Sequence, residues 1–208
     1  MLILAVAATG ALLAREGGSV LSVAPSPRGR ILGVYVPLGI VSIGLTLYVC
    51  RVGRPHDALR SLLGRGWDSA ARASADLASA VATWFVIEAV ESVAGTWRNA
   101  AVGALLPSTL AERVAWVLVA VTVGFCEEVI YRGYLQTQLT AFTGRASVAV
   151  VLQAVLFGIA HGDQGLAVVA RFSLYGVLFG ALARWRRSLI PGIAAHIGLD
   201  LASGLLAG

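Results

Sequence analysis

Lysine is missing from this chain: all sixteen basic residues among the 208 are arginine. With the heavy use of Ala, Gly and Val, the absence reads as genomic base composition and carries no functional signal. Charge of either sign is scarce. Only 13% of residues are charged, where a soluble globular domain carries roughly 25%. That scarcity excludes an ordinary soluble domain, which could not cover so large a core with so little polar surface. Cysteine is limited to Cys50 and Cys126. Without a CxxC, neither a disulfide framework nor a zinc ribbon is implied. Cys126 adjoins two glutamates, but no Cys-His-Asn signature surrounds it, so a thiol nucleophile is not expected. The net charge of +5 is not arranged as a basic stripe interleaved with aromatics, so nucleic acid is not an expected partner. Internal repeats and low-complexity tracts are also lacking.

Apolar segments fill the chain instead. Hydrophobic residues make up 58%, with a mean hydropathy of +0.82. A membrane-spanning helix needs about 20 mostly apolar residues. Such stretches fall near 1–14, 31–50, 77–95, 112–135, 147–161, 166–183 and 189–207. Segment 1–14 lacks a basic flank and a convincing cleavage site, so it reads as a first membrane helix, not a signal peptide. The fold class predicted is an all-α, polytopic membrane helical bundle of about six to seven transmembrane helices. The expected partner is the lipid bilayer, and the expected location is the cell membrane.

Arginines set the orientation. Arg51, Arg54, Arg60, Arg65 and Arg72 crowd the loop 51–76, and Arg184, Arg186 and Arg187 form a second cluster. The positive-inside rule puts both in the cytoplasm. Alternating spans between them agree, leaving 15–30 and 96–111 outside. Arg15, Arg28 and Arg30 weaken the assignment at the first helix. Gly176 and Gly180 form a GxxxG that allows close helix approach.

Charged groups inside a membrane cost roughly 2.5–3.5 kcal/mol each, so those that remain pair or do chemistry. In GFCEEVIYRGYLQ, Glu128 and Arg132 lie four apart on one helix face and can pair. Glu127 is rotated about 100° away and is left free to act. The bland alternative has both glutamates near the helix end, reaching water. In LFGIAHGDQ, Phe157 and His161 are four apart at the end of an apolar segment, where a lone histidine is commonly interfacial. In PGIAAHIGLDLASG, His196 and Asp200 share a face, and the aspartate can fix the tautomer of the histidine. Polar glue between helices is the alternative there. The remaining histidine, His56, sits in the arginine-rich loop and reads as solvated.

The order EExxxR, FxxxH, HxxxD resembles the CPBP family of intramembrane proteases. That family includes the type II CAAX prenyl endopeptidases and bacterial proteins linked to bacteriocin processing and self-immunity. The resemblance covers roughly 112–207, which divides the chain into N-terminal membrane helices with the Arg-rich loop, 1–111, and a catalytic helical core, 112–208. It implies that Glu127 is the catalytic glutamate, which with His161 holds and activates a water. Glu128 and Arg132 match its supporting pair. His196 and Asp200 match the pair that stabilises the oxyanion, although many members carry asparagine at the second position. An ionised aspartate cannot donate to an oxyanion, so Asp200 must be protonated or must act by orienting His196. The expected activity is hydrolysis of a peptide bond in a membrane-associated peptide or protein. Metal is left open: Glu127, His161 and His196 are candidate zinc ligands, with no HExxH present, and a metal-free water is the other option. Two rival functions stay open: a non-enzymatic immunity or scaffold protein, and a transporter using Glu88, Glu91 and Arg171. Simple counting puts Glu127 and His196 mid-span and His161 at a helix end. Bringing them to one depth requires tilt, a broken helix or a re-entrant turn near Gly158 and Gly162.

Overall fold

Backbone groups in hydrocarbon have no water to bond, so an apolar chain of this kind resolves into helices. The computed structural model describes residues 26–53, 58–93, 100–162 and 165–206. Segment 1–14 and His56 lie outside them. Among the described residues the structure is helical, with one isolated bridge, Gly64 to Ser188, and no strand. Helix α1 is Val36–Gly53, entered through a short helix Pro27–Arg30 and a π-helical turn Ile31–Tyr35. Then come α2 (Ala58–Leu63), α3 (Ala70–Val93), α4 (Ala100–Leu105) and α5 (Leu110–Glu127). A π-helical segment, Glu128–Leu135, continues α5 into α6 (Gln136–Thr143), and α7 (Ala146–Ile159), α8 (Leu166–Arg186) and α9 (Ile190–Leu205) complete the chain.

Among the described residues four stretches are long and apolar enough to cross a membrane: Pro27–Val52, Ala70–Ser92, Leu110–Thr143 and Leu166–Arg186. Helices α7 and α9 are apolar but shorter. The outward faces carry large apolar side chains, among them Ile40, Leu47, Phe85, Leu118 and Val151. A surface of this kind fits lipid, not water. The chain is an all-α helical bundle of the integral membrane class.

The expected span 112–135 is longer in the structure, because the helix runs on to Thr143. Its 34 residues extend about 50 Å, against a hydrocarbon core of about 30 Å. Glu127 and Glu128 therefore sit near its middle, which overturns the reading in which both reach water at a helix end. The N-terminus of α5 has a reciprocal cap. Thr109 accepts from the Glu112 backbone N–H at 3.3 Å, and Glu112 accepts from the Thr109 backbone N–H at 2.8 Å. Glu112 is fully buried and also pairs with Arg30. That partner explains how Arg30 is accommodated beside the loop before α5.

The loop expected at 51–76 is not structureless: it contains α2 and the first turns of α3. It is tied to the second arginine cluster. Arg65 N–H donates to the Arg187 carbonyl at 2.8 Å and Leu189 N–H to the Leu63 carbonyl at 2.9 Å. Arg72 donates to the Arg186 carbonyl at 2.9 Å, and Arg186 pairs with buried Asp76 at 2.6 Å. The two arginine clusters share one end of the bundle. Helices α7 and α8 meet closely through small residues. A Cβ at Gly176 would stand 2.7 Å from Ala154 Cα, a backbone atom that cannot move aside.

Gly176→Ala should therefore push α7 from α8 and destabilise the protein by about 1–3 kcal/mol, the usual range for overpacking, read as a lower melting temperature in detergent. In a background lacking Cys50 and Cys126, single cysteines at Arg60 and Arg184 should be labelled from the same, cytoplasmic side of intact cells. Labelling of the two from opposite sides would contradict the shared end of the bundle.

Candidate active site

The π-helical segment begins at Glu128, where the ladder widens from i→i+4 to i→i+5 bonding, a distortion found often at functional sites. Glu128 and Arg132 pair at 3.1 Å with both side chains inaccessible. The guanidinium of Arg132 also lies 4.3 Å from the Phe157 ring centroid and 5.2 Å from that of Phe179. Such contacts attract a cation to the ring face and gain strength when desolvated. The Glu128 carboxylate backs onto Gly192, where a Cβ would be 3.0 Å from Oε2. Gly192 thus supplies the room in which this carboxylate is held.

Glu128 has a second partner that the sequence reading missed. The Nδ1 of His196 lies 3.0 Å from Glu128 Oε1. A carboxylate only accepts, so Nδ1 carries the proton and donates. Nε2 then points the other way, 3.7 Å from Glu127 Oε2 and 3.9 Å from Asp200 Oδ2. The carboxylate that fixes the tautomer of His196 is therefore Glu128. Asp200, expected in that role, is more distant and a third exposed. Spacing along one helix could show the i, i+4 pair but not a neighbour 68 residues away. Glu127 keeps 16% of its side-chain surface open while Glu128 keeps none.

His161 follows the end of α7. That helix, with 14 residues, extends only about 21 Å, short of a bilayer core. The chain turns at Gly158–Gly162, with the His161 N–H donating to the Gly158 carbonyl at 3.0 Å. A short helix closed by a turn is the kind of broken element that a common depth for His161 and Glu127 requires. His161 Nδ1 donates to the Phe157 carbonyl at 2.9 Å, which leaves Nε2 as its acceptor. Phe157 is edge-on to His161 at 4.9 Å and to His196 at 6.0 Å, so the two imidazoles flank one buried ring.

Among the described residues no three His, Cys, Asp or Glu side chains are grouped to hold a metal ion. Both Nδ1 atoms are engaged by protein acceptors, and Phe157 stands against both rings. Cys126 is 4% exposed and belongs to the apolar cluster of Val49, Val129 and Tyr131. The residues considered for a transport path are paired. Glu91 binds Arg171 at 3.1 Å and accepts from Tyr175, and Glu88 accepts from Trp84 at 3.1 Å.

Arg132→Ala would leave Glu128 buried beside His196 with its cation gone. Breaking a buried pair costs about 3–5 kcal/mol, so the variant should melt well below wild type, and Glu128→Gln in the same chain should recover part of the loss. An unchanged melting temperature would contradict a buried pair.

No curated protein and no solved structure gives a significant match to the chain. A family model does: Rce1-like, described as type II CAAX prenyl endopeptidase Rce1-like, matches residues 109–202. The match starts at Thr109, the cap of α5, and ends within α9, so it contains every residue of the site just described. Residues 109–202 are thus similar to the Rce1-like family of type II CAAX prenyl endopeptidases.

Proposed function

We propose that this protein is an intramembrane endopeptidase that cleaves a membrane-associated peptide or protein with a water activated by Glu127. The observation that carries the reading is the way His196 is held, with Nδ1 on Glu128 at 3.0 Å and Nε2 toward Glu127 at 3.7 Å. The family match to proteases supports it.

Glu127 is the general base, since it is accessible and lies beside an imidazole. It accepts a proton from a water that also donates toward Nε2 of His161. The oxygen attacks the scissile carbonyl carbon, and the carbonyl π pair moves onto oxygen. Nε2–H of a His196 protonated on both nitrogens donates to that oxyanion. When the tetrahedral intermediate collapses, the C–N bond breaks and Glu127 returns its proton to the leaving amine. Glu128 accepts from Nδ1–H and so orients the His196 ring, the part played by the third member of a triad. Asp200 lies on the same helix, with Oδ2 3.9 Å from Nε2. Residues 112–208 carry this chemistry, and 1–111 supply the wall that α3 builds with Ala80, Ile87 and Val90 against Tyr175, Phe179 and Ala195. The cell membrane is the proposed location.

The test is cleavage of a membrane-tethered reporter by purified variants, each with a thermal melt. Glu127→Gln keeps size and hydrogen bonding but removes basicity, and should abolish cleavage in a folded protein. His161→Ala should do the same. His196→Ala should lose about 10²–10³ in kcat, the usual value of one oxyanion donor. Strong chelator should leave the wild-type rate unchanged, whereas loss restored by zinc would show a metal. Full activity in Glu127→Gln would overturn Glu127 as the base, and no cleavage by the folded wild type would leave a non-enzymatic membrane protein as the reading.

A further inference from the structure

On α8, Phe172, Tyr175 and Phe179 recur at i, i+3 and i+7, so they share a helix face. Two of them lie flat on the site histidines. Phe172 stacks on His161 with ring centroids 4.1 Å apart and planes at 16°. Phe179 stacks on His196 at 5.2 Å and 15°. Phe157 meets the same imidazoles edge-on, at 65° and 89°. The EExxxR, FxxxH and HxxxD motifs contain neither Phe172 nor Phe179.

A hydrogen bond at Nδ1 anchors an imidazole at one point but leaves it free to rotate about the axis of that bond. His161 is anchored in this way on the Phe157 carbonyl and His196 on Glu128. A parallel ring against the imidazole face removes the rotation, because any swing would drive the imidazole into the phenyl plane. The direction of Nε2 is then the one remaining consequence of the placement. An apolar plate also keeps water off that ring face, so proton exchange is confined to the ring edge.

We propose that Phe172 and Phe179 are positioning residues, which aim Nε2 of His161 and Nε2 of His196 into one reaction volume. The inference rests on the peptidase reading. Phe172 is the better probe because it is half-buried, whereas Phe179 is only 1% exposed and truncating it would open a cavity.

The experiment compares Phe172→Leu, Phe172→Tyr, Glu127→Gln and wild type in detergent. It reads kcat and KM on the tethered reporter, the melting temperature, and proton chemical shifts of labelled histidine. Phe172→Leu should lower kcat roughly tenfold to a hundredfold, the scale of a misplaced reacting group, with KM and melting temperature close to wild type. The His161 ring protons should move downfield as the shielding of the stacked ring is lost. Phe172→Tyr keeps the plate and should restore both rate and shift. Wild-type kcat in Phe172→Leu, unmoved histidine shifts, or a Phe172→Tyr variant as impaired as Phe172→Leu would each overturn the inference. No cleavage by the folded wild type would instead bring down the peptidase reading, and the inference with it, and cleavage by Glu127→Gln at the wild-type rate would overturn Glu127 as the base. A dead Glu127→Gln beside a fully active Phe172→Leu would remove the positioning role alone.

Discussion

The ion pair between Glu128 and Arg132 is the constraint on which the site depends. It places two opposite charges, both inaccessible, at the middle of a helix of membrane length. Mutual attraction covers only part of the cost. The guanidinium nitrogens of Arg132 have no protein hydrogen-bond acceptor in good geometry, so its positive charge also relies on the faces of Phe157 and Phe179. Those two rings contact the site histidines as well. Neutralising a buried cation and placing two imidazoles are therefore one packing problem. A change that shifts the arginine moves the rings, and the rings carry the histidines.

Two adjacent glutamates end in opposite environments because helix rotation separates them. Glu128 turns inward, where its Oε1 meets both Arg132 and His196 Nδ1. Glu127 faces Nε2 of the same imidazole and keeps a route to the exterior of the protein. One histidine thus spans both carboxylates, bonded to the first and presented to the second. Identical side chains thus differ in burial and partners.

Much of the fold was legible because apolar length is a strong signal. Segments 31–50, 77–95, 112–135 and 166–183 each reappear as a spanning helix, and the arginine clusters 51–76 and 184–187 meet at one end. The Glu128–Arg132 pair was readable from its i, i+4 spacing. What spacing hid was anything joining distant elements. The bond from His196 to Glu128 links α9 to the π-helical segment, and the capping box at Thr109–Glu112, although written as T-x-x-E, gains its arginine partner from residue 30. The π-helical widening was also hidden, because a hydrophobic pattern does not record one extra residue per turn. The same limit explains Asp200: sharing a face with His196 made it the expected partner, yet a residue on another helix came nearer.

The glycines far from the carboxylates also bear on the chemistry. Helix α8 carries Phe172 and Phe179, while α7 carries Phe157 and delivers His161. Their side chains can interleave only if the two backbones approach closely. Gly176 permits this against Ala154, Gly180 against Gln153, and Gly158 against Ser173. Gln153 is itself fully buried and donates to the Gly176 carbonyl at 2.8 Å, and Gln136 donates to the Gly180 carbonyl at 3.2 Å. These bonds matter because lipid offers helices little hydrophobic drive to associate, so small residues and interhelical hydrogen bonds must hold them together. A spacing wider by one methyl group would part the His161 and Phe172 rings, now 4.1 Å apart. The GxxxG of α8 is thus an element of the site's geometry: it sets the distance at which an imidazole on one helix is held flat by a ring on the next.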